Sequence, residues 1–325
     1  NTSDTDAVSF GGYIKIDARH VNGDLPYSKA WYGAQKHNGT AATAGTSSTG
    51  MFANESRFNM KYTHGDVMGF IELDFFDADA SSANQIVSNS WSPRLRHAFI
   101  KYDNVLVGQT WSTFMNTSAL AETLDFAGPI NGGVFVRQTQ VRYTNGGLQV
   151  SLENPFSDQG DATQDSVPDF IAKYTFKGDW GNVSVAGLVR KLNTAAGSSE
   201  STVGFSIAGR INTIGKDSLR FQIADGELGR YVGVVAARDL VGEEVEETTA
   251  YSVNYRHFWS EDLRSTLAYG HAEADVSGAE STQVSVNLIK NLTKQLSVGV
   301  EVGNYSDDTD NLDSNYAQLS LKYVL

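Results

Sequence analysis

The amino-acid sequence predicts an all-β fold, a closed antiparallel up-and-down transmembrane β-barrel of about 16 strands. Three observations predict it. Apolar and polar residues alternate at every second position, the period of a strand with two unlike faces. The alternating segments run near ten residues, the span of a tilted strand across a bilayer. Short turns and long polar loops alternate between them, as in consecutive antiparallel hairpins.

The elements follow in chain order. Val8–Arg19 carries Val8, Phe10, Ile14 and Ile16 outward, with Tyr13, Lys15 and Asp17 inward. Ser56–Thr63 sets Phe58, Met60 and Tyr62 against Arg57, Asn59 and Lys61, and Val67–Phe76 sets Ile71, Leu73 and Phe75 against Glu72 and Asp74. Arg94–Tyr102, Val105–Trp111 and Val134–Thr144 also read as strands, with faces less sharply divided. Leu148, Val150 and Leu152 oppose Gln149, Ser151 and Glu153, and Phe170, Tyr174 and Phe176 oppose Asp169, Lys173 and Thr175. The rhythm continues through Val183–Arg190, Val203–Ile211, Leu219–Ile223, Tyr251–Arg256 and Leu263–Tyr269. It is sharpest at the end, in Thr282–Leu288, Leu296–Val302 and Ala317–Leu325.

Short turns are read at His64–Asp66, Asn145–Gly147, Gly178–Gly181, Asn212–Asp217, Ser260–Asp262 and Lys290–Gln295. Long loops are read at Val21–Ala53, Asp77–Ser90, Asn154–Ser166, Leu192–Ser201, Asp225–Thr248, Ala272–Glu280 and Ser306–Asp313. Tyr and Trp cluster at strand ends, with Trp180 and Trp259 beside short turns, where an interfacial belt belongs. A soluble sandwich would use shorter strands. Closure removes the free edges that lipid cannot satisfy.

Composition narrows the function. The 325 residues hold 38 acidic and 25 basic side chains, a net charge of −13, which argues against nucleic acid. There is no cysteine, hence no disulfide or thiolate site. No apolar run is long enough for a transmembrane helix. Asn1–Asp6 is polar, so either the chain carries no leader or this is the form left after its removal. A single barrel accounts for residues 1–325. At sixteen strands its lumen is too wide for wall side chains to fill, and a water-filled lumen implies passive diffusion.

The stretch Gly108-Gln109-Thr110-Trp111-Ser112-Thr113-Phe114-Met115, then Glu122 to Pro129, then Phe135-Val136-Arg137-Gln138, closely resembles the DcaP-like porins. Pro93–Ala98, Gln140–Tyr143, Leu152–Pro155 and Tyr255–Trp259 add to the likeness, which runs from Phe10 to the C-terminus. The resemblance implies a homotrimeric sixteen-stranded porin of the Gram-negative outer membrane, passing small anions such as dicarboxylates. Two departures stand out. Longer family members carry an N-terminal coiled coil, whereas this chain has no heptads at its start, and it ends in Leu325 where outer-membrane barrels usually end in Phe.

By the same resemblance, Ser112–Gly133 is the constriction loop (about 112–133), folded into the lumen with Glu122 and Asp125 toward the wall. Arg94, Arg96, Arg137 and Arg142 flank it in sequence. Arg57, Lys61, Arg190, Arg210, Arg220, Arg256 and Arg264 lie on polar strand faces. Rings of Arg and Lys select anions, and guanidinium forks bind carboxylates in a bidentate manner. Any one of these arginines can instead pair with a lumenal acid such as Glu72, Asp74 or Glu153, so the expectation rests on the cluster. The acidic runs Glu243, Glu244, Glu246, Glu247 and Asp307, Asp308, Asp310, Asp313 are read as outer loops facing lipopolysaccharide.

No enzyme is expected. The six histidines are scattered without metal spacing, and neither a G-x-S-x-G elbow nor a Gly-rich phosphate loop is present. No metal or cofactor is called for. The partners expected are small anionic solutes, membrane lipid, lipopolysaccharide and two further copies of the chain. The alternatives are a non-selective or cation-preferring porin or, more remotely, a barrel hydrolase or adhesin.

Overall fold

A strand polar on one face and apolar on the other must pair both its edges, and closing the sheet on itself does this for every strand at once. The computed structural model describes residues 6–24, 45–76, 87–89, 91–232 and 238–325. Its large sheet holds 17 hydrogen-bonded segments. They make sixteen strands, because Thr46–Phe52 and Arg57–His64 are two halves of one, each paired with part of the first strand.

In order the strands are β1 Ala7–Gly23, β2 (the two halves just named), β3 Val67–Asp74, β4 Arg94–Tyr102, β5 Val105–Trp111, β6 Arg137–Asn145, β7 Leu148–Glu153 and β8 Asp169–Gly178. The second half comprises β9 Gly181–Asn193, β10 Ser199–Asn212, β11 Ser218–Gly226, β12 Thr248–Phe258, β13 Leu263–Ala274, β14 Glu280–Asn291, β15 Leu296–Asp307 and β16 Leu312–Val324. Each pairs antiparallel with its neighbour in sequence. β16 closes on β1 from Tyr13↔Val324 to Gly23↔Ser314.

The polarity of the wall is inverted relative to a soluble protein. Val300, Val302, Leu319 and Leu321 are exposed on the outside, while Glu301, Gln318 and Ser320 between them are buried on the inside. So large an exposed apolar surface suits lipid and would aggregate in water.

Three expectations change, and the faces of one strand left open by the sequence become defined. Thr46–Phe52, read as loop, is strand, because the long β1 needs a partner beyond Tyr13–Asp17 for its upper half. Val134–Val136, read as the start of a strand, leaves the wall. Val134 bridges Val232 instead, and its amide donates to Gln222. In β4 a register shift opposite Glu72 and Leu73 leaves Arg96 as an extra residue, so Arg96 and His97 are both buried on the inner side. Lastly, the loop after β11 is not simply a solvated outer loop. Leu228, Tyr231, Val232, Asp239 and Leu240 are fully buried within the barrel. Most of Val21–Ala53 (25–44), most of Asp77–Ser90 (77–86 and 90), residues 1–5 of the N-terminal segment and residues 233–237 lie outside the described residues.

Candidate functional site: the lumen and its constriction

Two inward segments narrow the lumen. The first runs from Ser112 to Val136 and follows the inner wall. Lys173 of β8 donates to the Met115 carbonyl at 2.8 Å, and Asn116 reaches Ser184 and the Ala208 carbonyl. Arg220 of β11 donates to the Leu120 carbonyl at 2.6 Å. Further round, Glu301 accepts from the Leu124 and Asp125 amides at 2.6 and 2.8 Å, and Lys15 of β1 donates to the Leu124 carbonyl. Such inward hydrogen bonds tie a 25-residue connection with hardly any regular structure of its own to the wall.

Space as well as bonding fixes the path. A Cβ on Gly132 would fall 2.3 Å from the Tyr251 carbonyl oxygen and 2.5 Å from Gly270 Cα, both backbone atoms. Gly132→Ala is therefore expected to cost about 1–3 kcal/mol through overpacking. The check is a lower midpoint in heat-modifiable gel mobility, and an unchanged midpoint would contradict the tight docking.

The second segment, after β11, is held by charge. Arg190 of β9 grips Asp239 with Nη1 and Nη2 at 2.5 and 2.8 Å, and both side chains are almost wholly buried. Arg230 and the Tyr231 hydroxyl donate to Asp169 at 3.1 and 2.8 Å. Leu228, Tyr231 and Val232 pack on Phe114, Met115 and Val134 of the first segment and on Ile171 and Leu188 of the wall. An apolar core thus sits inside a polar lumen. Glu246, read as part of an acidic rim, is also buried and accepts from Ser277.

The arginines divide by partner. Arg94 binds Asp74 through Nε and Nη2 at 3.0 and 2.7 Å, and Arg96 binds Glu72 and Asp74 at 2.8 and 3.0 Å. Arg57 lies 3.7 Å from Glu72. These three guanidiniums surround the Phe126 ring at 5.5–5.7 Å. Asp125 pairs with Arg19. Glu122 takes both Arg256, at 3.1 Å, and Arg264, at 2.6 Å. Burial pushes the Glu122 carboxyl up, but the Arg264 and Arg256 guanidiniums outweigh it, and the group stays below the usual carboxylate range.

Other arginines have no carboxylate within bonding distance among the described residues. Arg137 stacks its guanidinium 4.4 Å from the Trp111 ring centre and leaves Nη1 buried without a hydrogen bond. Arg210 and Arg220 stand directly opposite each other on β10 and β11. Among the described residues Arg220 bonds only a backbone carbonyl. Arg142 makes no ion pair among the described residues. So the wall from β10 to β13 carries four arginines on its inner face (210, 220, 256 and 264), of which Arg256 and Arg264 share one carboxylate, Glu122, leaving an excess of three positive charges among these five groups. Arg190, by contrast, is neutralised at the second segment and does not join them. Arg19, Lys15 and Arg230 also hold the inward segments, a role the sequence pattern does not assign to them. The first two alternate on the inner face of β1, so their pattern was visible although their partners were not.

A closed sixteen-stranded wall, apolar outside and charged within, with loops folded into its lumen, defines an integral outer-membrane β-barrel of porin architecture. The chain belongs to the DcaP outer membrane protein family, which matches residues 2–221. Its fold is similar to the crystal structure of the outer membrane channel DcaP of Acinetobacter baumannii, with a TM-score of 0.83 and 24% identity over 98% of this chain and 97% of that one. It is also similar to the anion-selective porin from Comamonas acidovorans (TM-score 0.67, 14% identity, 99% and 100% covered). Salmonella typhi OmpF in complex with daunomycin gives a TM-score of 0.62 and 13% identity, with 98% and 97% covered. No curated protein matches the sequence.

Proposed function

We propose that the chain forms a water-filled channel for passive diffusion of small hydrophilic solutes and favours anions, dicarboxylates among them. The observation that carries this reading is the unequal pairing of the lumen. Arg210, Arg220, Arg256 and Arg264 have only Glu122 bonded among them, and Arg137 and Arg142 have no carboxylate partner among the described residues. Positive charge on a low-dielectric wall focuses its field into the lumen and raises the local anion concentration. A dicarboxylate offers two carboxylates for separate guanidinium forks. The overall charge of −13 does not oppose this, since exposed loop acids such as Glu243, Glu244 and Asp308 lie away from the arginines.

The channel is passive, with no catalytic step, and works as a homotrimer whose acidic outer loops meet lipopolysaccharide. The anion-selective porin of Comamonas acidovorans, similar in fold, is in keeping with the reading. The reversal potential of the purified protein in a planar bilayer under a KCl gradient tests it. The expected sign is the one set by chloride, and the sign set by potassium would overturn the anion preference.

A further inference from the structure

Beneath the first turn of the constriction loop lies a cavity of about 380 Å³, on the short-turn half of the lumen. Register builds it. Arg142 stands three residues before the Asn145–Leu148 turn, Gln149 and Lys173 are direct cross-strand partners, and Lys177 precedes the turn into β9. Ser118 and Asn182 complete its polar wall, and no acidic side chain lines it.

The cations are placed differently. Lys173 is buried and anchored by the Met115 carbonyl at 2.8 Å, which fixes its ammonium below the loop. Arg142 has no hydrogen-bonding partner among the described residues, and Lys177 is exposed. One carboxylate, Glu153, acts on both Arg142 and Lys173. Its oxygens are already engaged, accepting from the Thr113 amide at 2.7 Å, Gln138 at 2.6 Å and Ser151 at 2.9 Å. Three cations against one acid leave an excess of two positive charges.

We propose that this cavity is a side site for a small organic dianion, which pauses there beneath the constriction. The inference rests on the anion reading above and adds to it a defined place, with Arg142 and Lys173 as the principal contacts. An anchored ammonium presents a point charge, and the free guanidinium offers a planar fork, so a ligand with two separate carboxylates uses both. Neutral amide and hydroxyl donors around them suit the remaining oxygens.

Glutarate is a suitable probe and butyrate its singly charged control. Isothermal titration of the folded, detergent-solubilised chain is expected to show glutarate binding at least tenfold tighter than butyrate. Arg142→Gln should weaken glutarate at least tenfold, as should Lys173→Gln, whereas Lys294→Gln, in a distant turn, should leave it unchanged. Lys173 also holds the loop, so Arg142→Gln carries the test if Lys173→Gln does not fold. Glutarate binding unaffected by Arg142→Gln, or no tighter than butyrate in the unaltered chain, would overturn the site. Failure of the underlying reading is separately visible, as a potassium-signed reversal potential of the unaltered chain.

Discussion

Replacing Asp239 with alanine should release the second inward segment from the lumen, raising single-channel conductance while the barrel stays folded. Asp239 is the common anchor of that segment. Its carboxylate takes both terminal nitrogens of Arg190 and also accepts from the Asp158 and Arg230 amides, at 2.8 and 3.2 Å. Arg190 and Asp239 are both about 1% exposed or less at the side chain. Removing one partner of a buried pair costs about 3–5 kcal/mol where the remaining charge has no other counter-ion, and Asp169, 3.3 Å from Arg190 Nε, offsets part of that cost here. Full burial of Leu228 and Val232 contributes about 1.5–3 kcal/mol each, so the loss is of the same size as that apolar hold and leaves the segment only marginally docked. The wall does not depend on them, because its strands are joined by their own ladder from β1 round to β16. The variant should therefore keep its heat-modifiable mobility, conduct more, and gain protease cleavage between residues 226 and 247. Unaltered conductance together with an unaltered cleavage pattern would show that the segment is held by something other than this pair.

That segment also marks where the sequence stops being informative. Period-two alternation in Leu296–Val302 or Ala317–Leu325 states which face each residue takes, since a strand allows only two choices, and the number of such runs gives the number of strands. A loop has no period. Leu228, Tyr231 and Val232 are apolar residues in what reads as a polar connection, and that was the available signal. Their destination depends on Phe114 and Met115, more than a hundred positions earlier, and on a lumen that exists only after closure. Pairing was hidden for the same reason. Arg190 and Arg220 look alike on their strands, yet one meets Asp239 and the other a carbonyl. In β4 a single extra residue, Arg96, reverses which side chains point inward, and alternation read straight through the bulge cannot report it. The alternation of β8 puts Lys173 on the polar face. Its nearness to Arg142 required the register across β7.

The largest change in ion preference should come from the facing pair Arg210 and Arg220. They are direct cross-strand partners, and neither bonds a carboxylate. Like charges placed directly opposite destabilise a sheet, so the arrangement is retained at some cost to folding. Converting both to Gln takes the β10–β13 wall from an excess of three positive charges to one. Each charge removed weakens the attraction for a passing anion by about 1 kcal/mol in a watery lumen. The chloride-to-potassium permeability ratio should then fall roughly fivefold per arginine. Converting both to Glu brings the same wall to an excess of one negative charge and should carry the reversal potential through zero. Thermal stability should change little in the Gln variant, because the repulsion removed offsets the lost hydrogen bond from Arg220 to the Leu120 carbonyl. The comparison with Arg94→Gln is the decisive control. Arg94 is matched by Asp74, which keeps Arg96 as a second partner, so its loss should shift the reversal potential less than the loss of either unmatched arginine. If Arg94→Gln shifts the potential as far as Arg210→Gln does, selectivity follows the count of arginines and not their pairing. The division of the lumen into matched and unmatched charge would then carry no functional meaning.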